Sequence, residues 1–256
     1  MTVAERPAVQ ITRSTDHRYT YAGRTYPGVT SILGVIDKSG ALMSWAARQT
    51  AEAAVDLALA GTAEATGLAN LLNTVGREGT VKALTARSGW KRDEAAALGT
   101  AVHGYADDHI NGRPIPELPE IQRKYVDAYA EWWAASGWTL RTSEAYLVHP
   151  EFGYGGTLDL LCRDADGRTV LADIKTGKAV YKEAVLQLAA YGDAQLIQPP
   201  GGAVFTMPAV DRYAILHVTA AGVREIEVPV GRFEHLAFAA CLDLYAWTQS
   251  MKGRKF

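Results

Sequence analysis

The stretch LADIKTGK, residues 171–178, contains an acid and a lysine separated by one isoleucine. Alternate side chains of a β-strand point to the same face, so we expect Asp173 and Lys175 to lie together while Ile174 points into the core. A carboxylate beside an ammonium can help to position water for attack on a phosphodiester. Solvated strand charges produce the same short pattern, so the motif by itself does not decide between the two interpretations.

The turn before this stretch can place a second carboxylate opposite the first. If the Ala-Asp-Gly sequence at 165–167 forms a three-residue loop with a left-handed glycine, Asp159 lies directly opposite Asp173. A two-residue loop would instead put Asp159 opposite Ile174, on the other face. Facing carboxylates repel each other and need a positive group between them. Lys175 is one candidate, and a divalent cation such as Mg²⁺ or Mn²⁺ is the better one because it prefers oxygen ligands.

Other polar residues have a spacing that suits the same site. His103 ends the sequence GTAVH on an expected helix, and a neutral imidazole there could be a further metal ligand. Gln187 and Tyr191 are four residues apart and share one face of the next helix. A structural helix histidine and ordinary surface positions remain the alternatives for these three residues.

The order of the secondary-structure elements expected around these residues predicts a mixed α/β fold. From Thr139 onward the patterns indicate three strands, a helix at about 181–197, a hairpin that turns at Ala221-Gly222, and a closing helix. We therefore expect a mixed central β-sheet flanked by helices, preceded by a mostly helical half that opens with short β-like runs at 9–27. The expected boundaries are one domain at 1–256, with an N-terminal elaboration at 1–97, a core at 98–230 and a C-terminal helix at 231–256.

Composition excludes several classes of protein. The net charge of −2 gives no global attraction to nucleic acid, so any polyanion must be held by local basic residues or by metal. Two cysteines are too few for a disulfide framework, a four-cysteine zinc site or an iron–sulfur cluster, and no GxxxxGK[ST] phosphate loop occurs. No apolar run approaches the roughly 18 residues of a membrane span. We expect a cytoplasmic protein without a membrane segment.

Four motifs in order resemble the PD-(D/E)XK nuclease superfamily, and most closely its RecB-type exonucleases and their phage relatives. They are GTxxH at 99–103, GGTLD at 155–159, DIK at 173–175 and QLAAY at 187–191. The resemblance covers about residues 98–195 and extends more loosely to YAGRTYPGVTSIL and LMSWA near the N-terminus. It implies a restriction-endonuclease-like core, here without the iron–sulfur cluster of some relatives.

The resemblance also implies roles for individual residues. Asp159 and Asp173 would be the central metal ligands, joined by His103 and the backbone carbonyl of Ile174. Lys175 would be the catalytic lysine that orients or activates the attacking water. These roles describe a site with one or two Mg²⁺ or Mn²⁺ ions and no nucleotide cofactor.

The remaining candidate residues would support the site or contact the substrate. Gln187 and Tyr191 match the helix that supports the site and contacts DNA near the scissile phosphate. Glu144 lies where many members have a glutamate, and is either a supporting or second-metal residue or a solvated strand acid. Lys178 and Lys182 follow the catalytic strand directly and are the leading candidates for phosphate contacts.

The expected function is a metal-dependent DNA nuclease, with an exonuclease of recombination, repair or phage DNA processing as the leading hypothesis. A structure-specific endonuclease is the nearest alternative. A nuclease-like DNA-binding or assembly subunit with little activity is another. Expected partners are DNA, and a homo-oligomer or a recombination protein, in the cytoplasm of a bacterium or a phage-infected host.

Overall fold

The computed structural model describes residues 9–60 and 67–254. It divides the chain into two compact units. The first contains the residues up to Ile36 and those from Ala101 onward, and the second is Asp37–Thr100. No described helix combines the length and the apolar character needed to cross a membrane.

The first unit opens with a small antiparallel sheet, at the place where the sequence predicted short β-like runs. Its three strands lie in chain order, and a short helix follows them. Tyr19 of this sheet is buried, and a Cβ on Gly155 would lie 2.6 Å from the Tyr19 Cβ. Glycine at 155 therefore allows the small sheet to pack closely. The elements are β1 (Thr12–Arg13), β2 (Tyr19–Tyr21), β3 (Arg24–Tyr26) and α1 (Val29–Leu33).

The second unit consists of helix α2 (Ser39–Leu59) and most of helix α3 (Leu68–Ile110). Helix α3 contains one non-helical residue, Gly76, with φ 70°. Residues 68–89 of this helix include several Gly, Asn and Thr residues, which have low helix propensity. Threonines in this part are accommodated by bonding a carbonyl one turn back, as when Thr80 Oγ1 donates to the Gly76 carbonyl at 2.8 Å.

The first unit is built around a seven-stranded sheet, counted over the described residues, with strand order β10-β9-β6-β5-β4-β7-β8. Strands β6 and β9 are parallel and the other neighbours are antiparallel. Helices flank the sheet, so the predicted mixed α/β fold is confirmed. The elements are α4 (Glu120–Ser136), β4 (Thr139–His149), β5 (Tyr154–Arg163), β6 (Thr169–Lys175), α5 (Glu183–Gly192), β7 (Leu196–Gln198), β8 (Phe205–Thr206), β9 (Arg212–Thr219), β10 (Gly222–Glu227) and α6 (Arg232–Ser250).

The hairpin between β5 and β6 has the predicted three-residue loop. Gly167 is left-handed, with φ 79°, and the Asp164 N–H donates to the Arg168 carbonyl at 3.0 Å. The ladder then runs from Arg163 opposite Thr169 to Leu160 opposite Ala172. One further step along both strands brings Asp159 opposite Asp173. The two-residue alternative, which would have separated these acids, is thus excluded.

The helix predicted at 181–197 is shorter in the structure. Helix α5 ends at Gly192, and Leu196–Gln198 form β7, an edge strand that pairs with β4. The apolar residues Leu196 and Ile197 fit a helix pattern, but their burial comes from pairing with a strand about fifty residues earlier in the chain. Helix α5 itself is packed in the core, since Leu188 and Ala189 are fully buried.

Candidate metal centre

Three adjacent strands place three acidic residues in one row. Ser143 and Ala145 of β4 pair with Leu160 and Leu158 of β5, so the residue between them, Glu144, lies opposite Asp159. The register of β5 with β6 continues to Asp173 on the other side of Asp159. The row Glu144, Asp159, Asp173 therefore crosses the centre of the sheet.

The backbone at Glu144 is unusual for a strand. Its φ is 49°, in the left-handed region that non-glycine residues rarely adopt. Strained backbone of this kind persists where surrounding structure holds it, and it is often found at functional sites. Nothing in the residue types around position 144 signals this conformation.

The last turns of α3 bring His103 to the same row. Its Nδ1 lies 3.4 Å from Oδ2 of Asp159. One ligand atom each from His103, Glu144 and Asp159 lie within 4.8 Å of one another, and all three residues are half-buried. One imidazole nitrogen and two carboxylates form a donor set that suits a hard or borderline divalent cation.

Asp173 is not part of that group of three, and its carboxylate pairs with Lys175. It is 1% exposed, and Lys175 Nζ lies 2.5 Å from its Oδ2. This contact is an ion pair, and within the described residues neither oxygen of Asp173 has a hydrogen bond of good geometry. A buried carboxylate with so few partners has ligand capacity to spare for a cation or water.

The backbone of β6 adds a contact to the central acid. The Ile174 N–H donates to Oδ2 of Asp159 at 2.7 Å, while the Ile174 side chain is buried. Backbone pairing between β5 and β6 ends at Leu160 and Ala172, the neighbours of Asp159 and Asp173. The Asp159 side chain therefore accepts a backbone N–H at the point where strand pairing stops. The metal-ligand role of the Ile174 carbonyl stays a prediction.

The ionisable groups of the cluster shift one another's pKa values. Burial raises the pKa of Glu144, and the Asp159 charge adds to it, to about 7. Burial and the Asp159 charge likewise raise the pKa of Asp173, to about 6, against the opposing effect of Lys175. Burial tends to lower the pKa of His103, but the charge and hydrogen bond of Asp159 outweigh it and raise this pKa to about 9.

The protonated His103 therefore balances the charge of Asp159 in the metal-free protein. A histidine that binds a metal must be neutral, so a cation at this position would take over the role of that proton and release it. Burial tends to lower the pKa of Lys175, but the charges of Asp173 and Asp159 hold it above its ordinary value. Lys175 is a cation at neutral pH in this arrangement.

Helix α5 connects to the cluster through two residues that the sequence singled out. Lys175 Nζ donates to Oε1 of Gln187 at 3.4 Å, and Gln187 Nε2 donates to the Tyr191 hydroxyl at 3.1 Å. The Tyr191 ring lies so close to Gly156 that a Cβ there would overlap Tyr191 Cε1. Two motifs separated along the chain, GGTLD and QLAAY, thus meet in space.

Two predicted basic residues lie away from the cluster. The side chains of Lys178 and Lys182 are exposed, and no side-chain hydrogen bond or ion pair within the described residues joins either of them to the cluster. A neighbouring histidine orders the loop that carries Lys178, since His217 Nε2 lies 2.7 Å from the Gly177 carbonyl oxygen. The structure does not bring these lysines to the acidic row.

Sequence reasoning missed two features beside the row. The Tyr19 hydroxyl forms a 2.9 Å hydrogen bond with Thr157 Oγ1, two residues from Asp159, and only the small N-terminal sheet brings it there. A cavity of about 710 Å³ borders Glu144. Three arginines that are distant in sequence help to line this cavity: Arg13, Arg113 and Arg141.

Two of the comparisons with known proteins carry no functional information. No curated protein matches the chain at a significant level. Among solved structures, the crystal structure of SSO0001 is similar, with a TM-score of 0.31 and 12% identity over 49% of this chain. The matched part is 57% of that chain, and the similarity is too low to support a functional statement.

The family comparison is more informative. The model of the PD-(D/E)XK nuclease superfamily matches residues 77–228, more than half of the chain and a longer span than the sequence motifs covered. The match contains the acidic row, His103, Lys175 and the α5 pair. Membership of this superfamily implies metal-dependent nuclease activity on a nucleic acid. The chain belongs to the PD-(D/E)XK nuclease superfamily.

Proposed function

We propose that this protein is a deoxyribonuclease that uses Mg²⁺ or Mn²⁺ and hydrolyses phosphodiester bonds as an exonuclease. The observation that carries the proposal is the row of Glu144, Asp159 and Asp173, with His103 at one side and Lys175 at the other. Repelling acids arranged in this way reduce stability unless they have a ligand to bind.

His103, Glu144, Asp159 and Asp173 would hold one or two ions. When bound, a divalent cation stabilises charge on the phosphate and lowers the pKa of water. The donor set favours magnesium or manganese because three of its members are carboxylates. No cysteine occurs among these residues, so the proposal includes no iron–sulfur cluster. It includes no nucleotide cofactor because the sequence has no GxxxxGK[ST] phosphate loop.

Lys175 would position the attacking water and stabilise charge on the scissile phosphate. Its ammonium group is paired with Asp173 and donates to Gln187. Gln187 is in turn held by Tyr191, so the chain from Tyr191 to Lys175 restricts where the ammonium can go. Pairing of Asp173 with a cation would free Lys175 to move toward the substrate.

The DNA backbone would be held by local basic groups, since the net charge gives no general attraction. Lys178 and Lys182 are candidates on the loop after β6 and at the start of α5. The arginines at the cavity beside Glu144 are further candidates, although Arg113 is already paired with Asp107 and Asp108.

The finer assignments follow the sequence motifs. We propose a RecB-type or phage-like enzyme of DNA recombination, repair or phage DNA processing, located in the cytoplasm, where its two free cysteines fit a reducing environment. The catalytic core would be residues 98–230 of a single nuclease domain at 1–256, with 1–97 as an elaboration and 231–256 as the closing helix.

The test is degradation of end-labelled linear DNA by the full chain with Mg²⁺ or Mn²⁺. We expect EDTA to abolish the activity and Asp173→Asn to lower it by more than about 100-fold, because the carboxylate is lost while its size is kept. The matched control is Asp127→Asn, at an exposed acid of α4, which should retain full activity. Undiminished activity of a pure Asp173→Asn protein would contradict the assignment.

The substrates of the same assay separate the alternatives. An exonuclease leaves covalently closed circles intact, whereas a structure-specific endonuclease cleaves closed circles that carry an unpaired loop. Tight DNA binding without turnover under every divalent metal would instead favour the binding or assembly subunit.

A further inference from the structure

Helix α6 has an exposed apolar stripe along its outer side. The exposed fractions are 77% for Phe233, 55% for Leu236, 45% for Leu244 and 57% for Trp247. Ala240, between the two leucines, is exposed as well. We call these five residues the α6 stripe. A contiguous exposed apolar patch of this kind usually marks an interaction site.

The opposite side of α6 already has a partner. Phe238 is buried in the main hydrophobic cluster, and Cys241, Leu242 and Tyr245 pack against it. Helix α6 is therefore apolar on two sides, and the described residues cover one of them. The α6 stripe is not needed to attach the helix to the sheet.

The spacing of the α6 stripe is symmetric. Its residues follow one another at intervals of 3, 4, 4 and 3, with Ala240 at the centre. At 3.6 residues per turn, all five lie on one narrow face. Reversal of the helix direction leaves the pattern unchanged, with aromatic residues at the ends, leucines inside them and alanine in the middle. Two-fold dimers require this kind of self-complementary surface.

We propose that the α6 stripe is the interface of a two-fold dimer, in which α6 of a second copy packs antiparallel on α6 of the first. Phe233 of each copy would contact Trp247 of the other, and Leu236 would contact Leu244. The two Ala240 residues would meet at the crossing point, where their small side chains allow the helix axes to approach closely.

The charged residues beside the α6 stripe and the area of the stripe favour a second copy of the chain, rather than a membrane surface, as its partner. Arg232 and Asp243 border the same edge of the stripe, and in the antiparallel pair they lie about 7.5 Å apart along the axis, within reach of an arginine side chain. The stripe offers on the order of 500 Å² per copy, and the total approaches the lower limit for specific interfaces. Helices that bind anionic membranes carry several basic residues beside the apolar face, whereas Arg232 is the one Lys or Arg in α6.

The test is sedimentation velocity of the full chain over a concentration series. We expect the wild type to form a reversible dimer. Leu236→Lys and Leu244→Glu should each raise the dimer dissociation constant by at least about 30-fold, as for loss of a central interface residue. An equimolar mixture of the two variants should recover the dimer, because position 236 of one copy faces position 244 of the other. Ile121→Lys, at a 52% exposed residue of α4, is the matched control and should leave the dimer unchanged.

Several results would overturn the proposal. One is a wild type that stays monomeric up to the order of 100 μM, whether or not it binds phosphatidylglycerol vesicles. Another is a single variant that remains dimeric. A third is a pair of monomeric variants that fail to form a dimer when they are mixed. Circular dichroism checks that each variant is folded. If either variant is not, Phe233→Lys and Trp247→Glu test the same pairing with the same expected outcomes. The inference does not depend on nuclease activity.

Discussion

At the scale of single residues, Glu144 shows how position outweighs residue type. A glutamate in a strand is most simply a solvated surface group, but this one is half-buried, has a left-handed backbone and lies beside Asp159. Burial and the charge of Asp159 both oppose its ionisation and raise its pKa to about 7. A residue held in such an unfavourable state adds nothing to the stability of the metal-free protein, which points to a role in binding.

We therefore expect Glu144→Gln to separate binding from stability. Metal affinity should fall by about 10- to 100-fold, because one oxygen ligand or its support is lost. The melting temperature in EDTA should stay the same or rise, because a neutral amide does not repel Asp159. Calorimetric titration with Mn²⁺ and thermal melts in EDTA measure the two quantities.

Glu117→Gln, at an exposed acid before α4, is the control and should change neither quantity. Unchanged metal affinity together with a lower melting temperature would show that Glu144 is structural.

At the scale of elements, the β5–β6 hairpin determines which acids face each other. Its loop is held by Asp164, whose Oδ1 accepts the Asp166 and Arg168 N–H groups at 3.1 and 2.9 Å. Oδ2 of the same residue pairs with the Arg168 guanidinium at 2.9 Å. A shift of the strand register by one residue would turn Asp159 to the other face of the sheet. The loop therefore fixes the geometry of the site as well as that of the hairpin.

The effect of Asp164→Ala on stability should depend on pH. Burial tends to raise the pKa of Asp164, but the backbone and side-chain hydrogen bonds from Arg168 outweigh it and leave this pKa lowered. A group whose pKa is lowered by folding contributes stability above its unfolded pKa and loses it as the pH falls through the folded pKa.

We expect Asp164→Ala to lower the free energy of unfolding by about 1–2 kcal/mol at pH 7, as for the loss of hydrogen bonds to a charged group. The difference in unfolding free energy between the variant and the wild type should shrink steadily below about pH 4, where the Asp164 carboxylate of the unfolded chain becomes protonated. Urea unfolding at a series of pH values measures it, and a difference that is constant from pH 7 to pH 3 would contradict this assignment.

At the scale of the whole molecule, the centre is assembled from parts that are far apart in the chain. His103 comes from the end of α3, the three acids from β4, β5 and β6, and the support of Lys175 from α5. Grouped buried acids reduce the stability of the metal-free fold, because like charges repel and are poorly solvated. Binding of a cation should therefore stabilise the entire first unit.

Mn²⁺ should raise the melting temperature of the wild type in proportion to the logarithm of its concentration. The added stability is about 2.7 kcal/mol at a free concentration one hundred times the dissociation constant. Asp159→Asn should remove most of this increase, while Asp127→Asn should keep it. An Asp159→Asn protein that Mn²⁺ stabilises as strongly as the wild type would place the metal elsewhere.

Much of the site was determined by the sequence alone, because its information is local. The loop at 165–167 and the alternation in two short strands were sufficient to predict that Asp159 faces Asp173. The four-residue spacing of Gln187 and Tyr191 likewise predicted a shared helix face, and the two now connect to Lys175. Turn type and side-chain period are encoded within about ten residues, so such predictions need no knowledge of the rest of the fold.

Only the tertiary structure decided the remaining features. Membership of Glu144 in the cluster depends on the register between β4 and β5 and on one left-handed residue. Leu196–Gln198 became a strand because β4 offered an edge. The α6 stripe could be recognised as exposed only after the other side of the helix was seen against the core. Each of these outcomes depends on contacts between residues distant in sequence, where packing and pairing outweigh local preference.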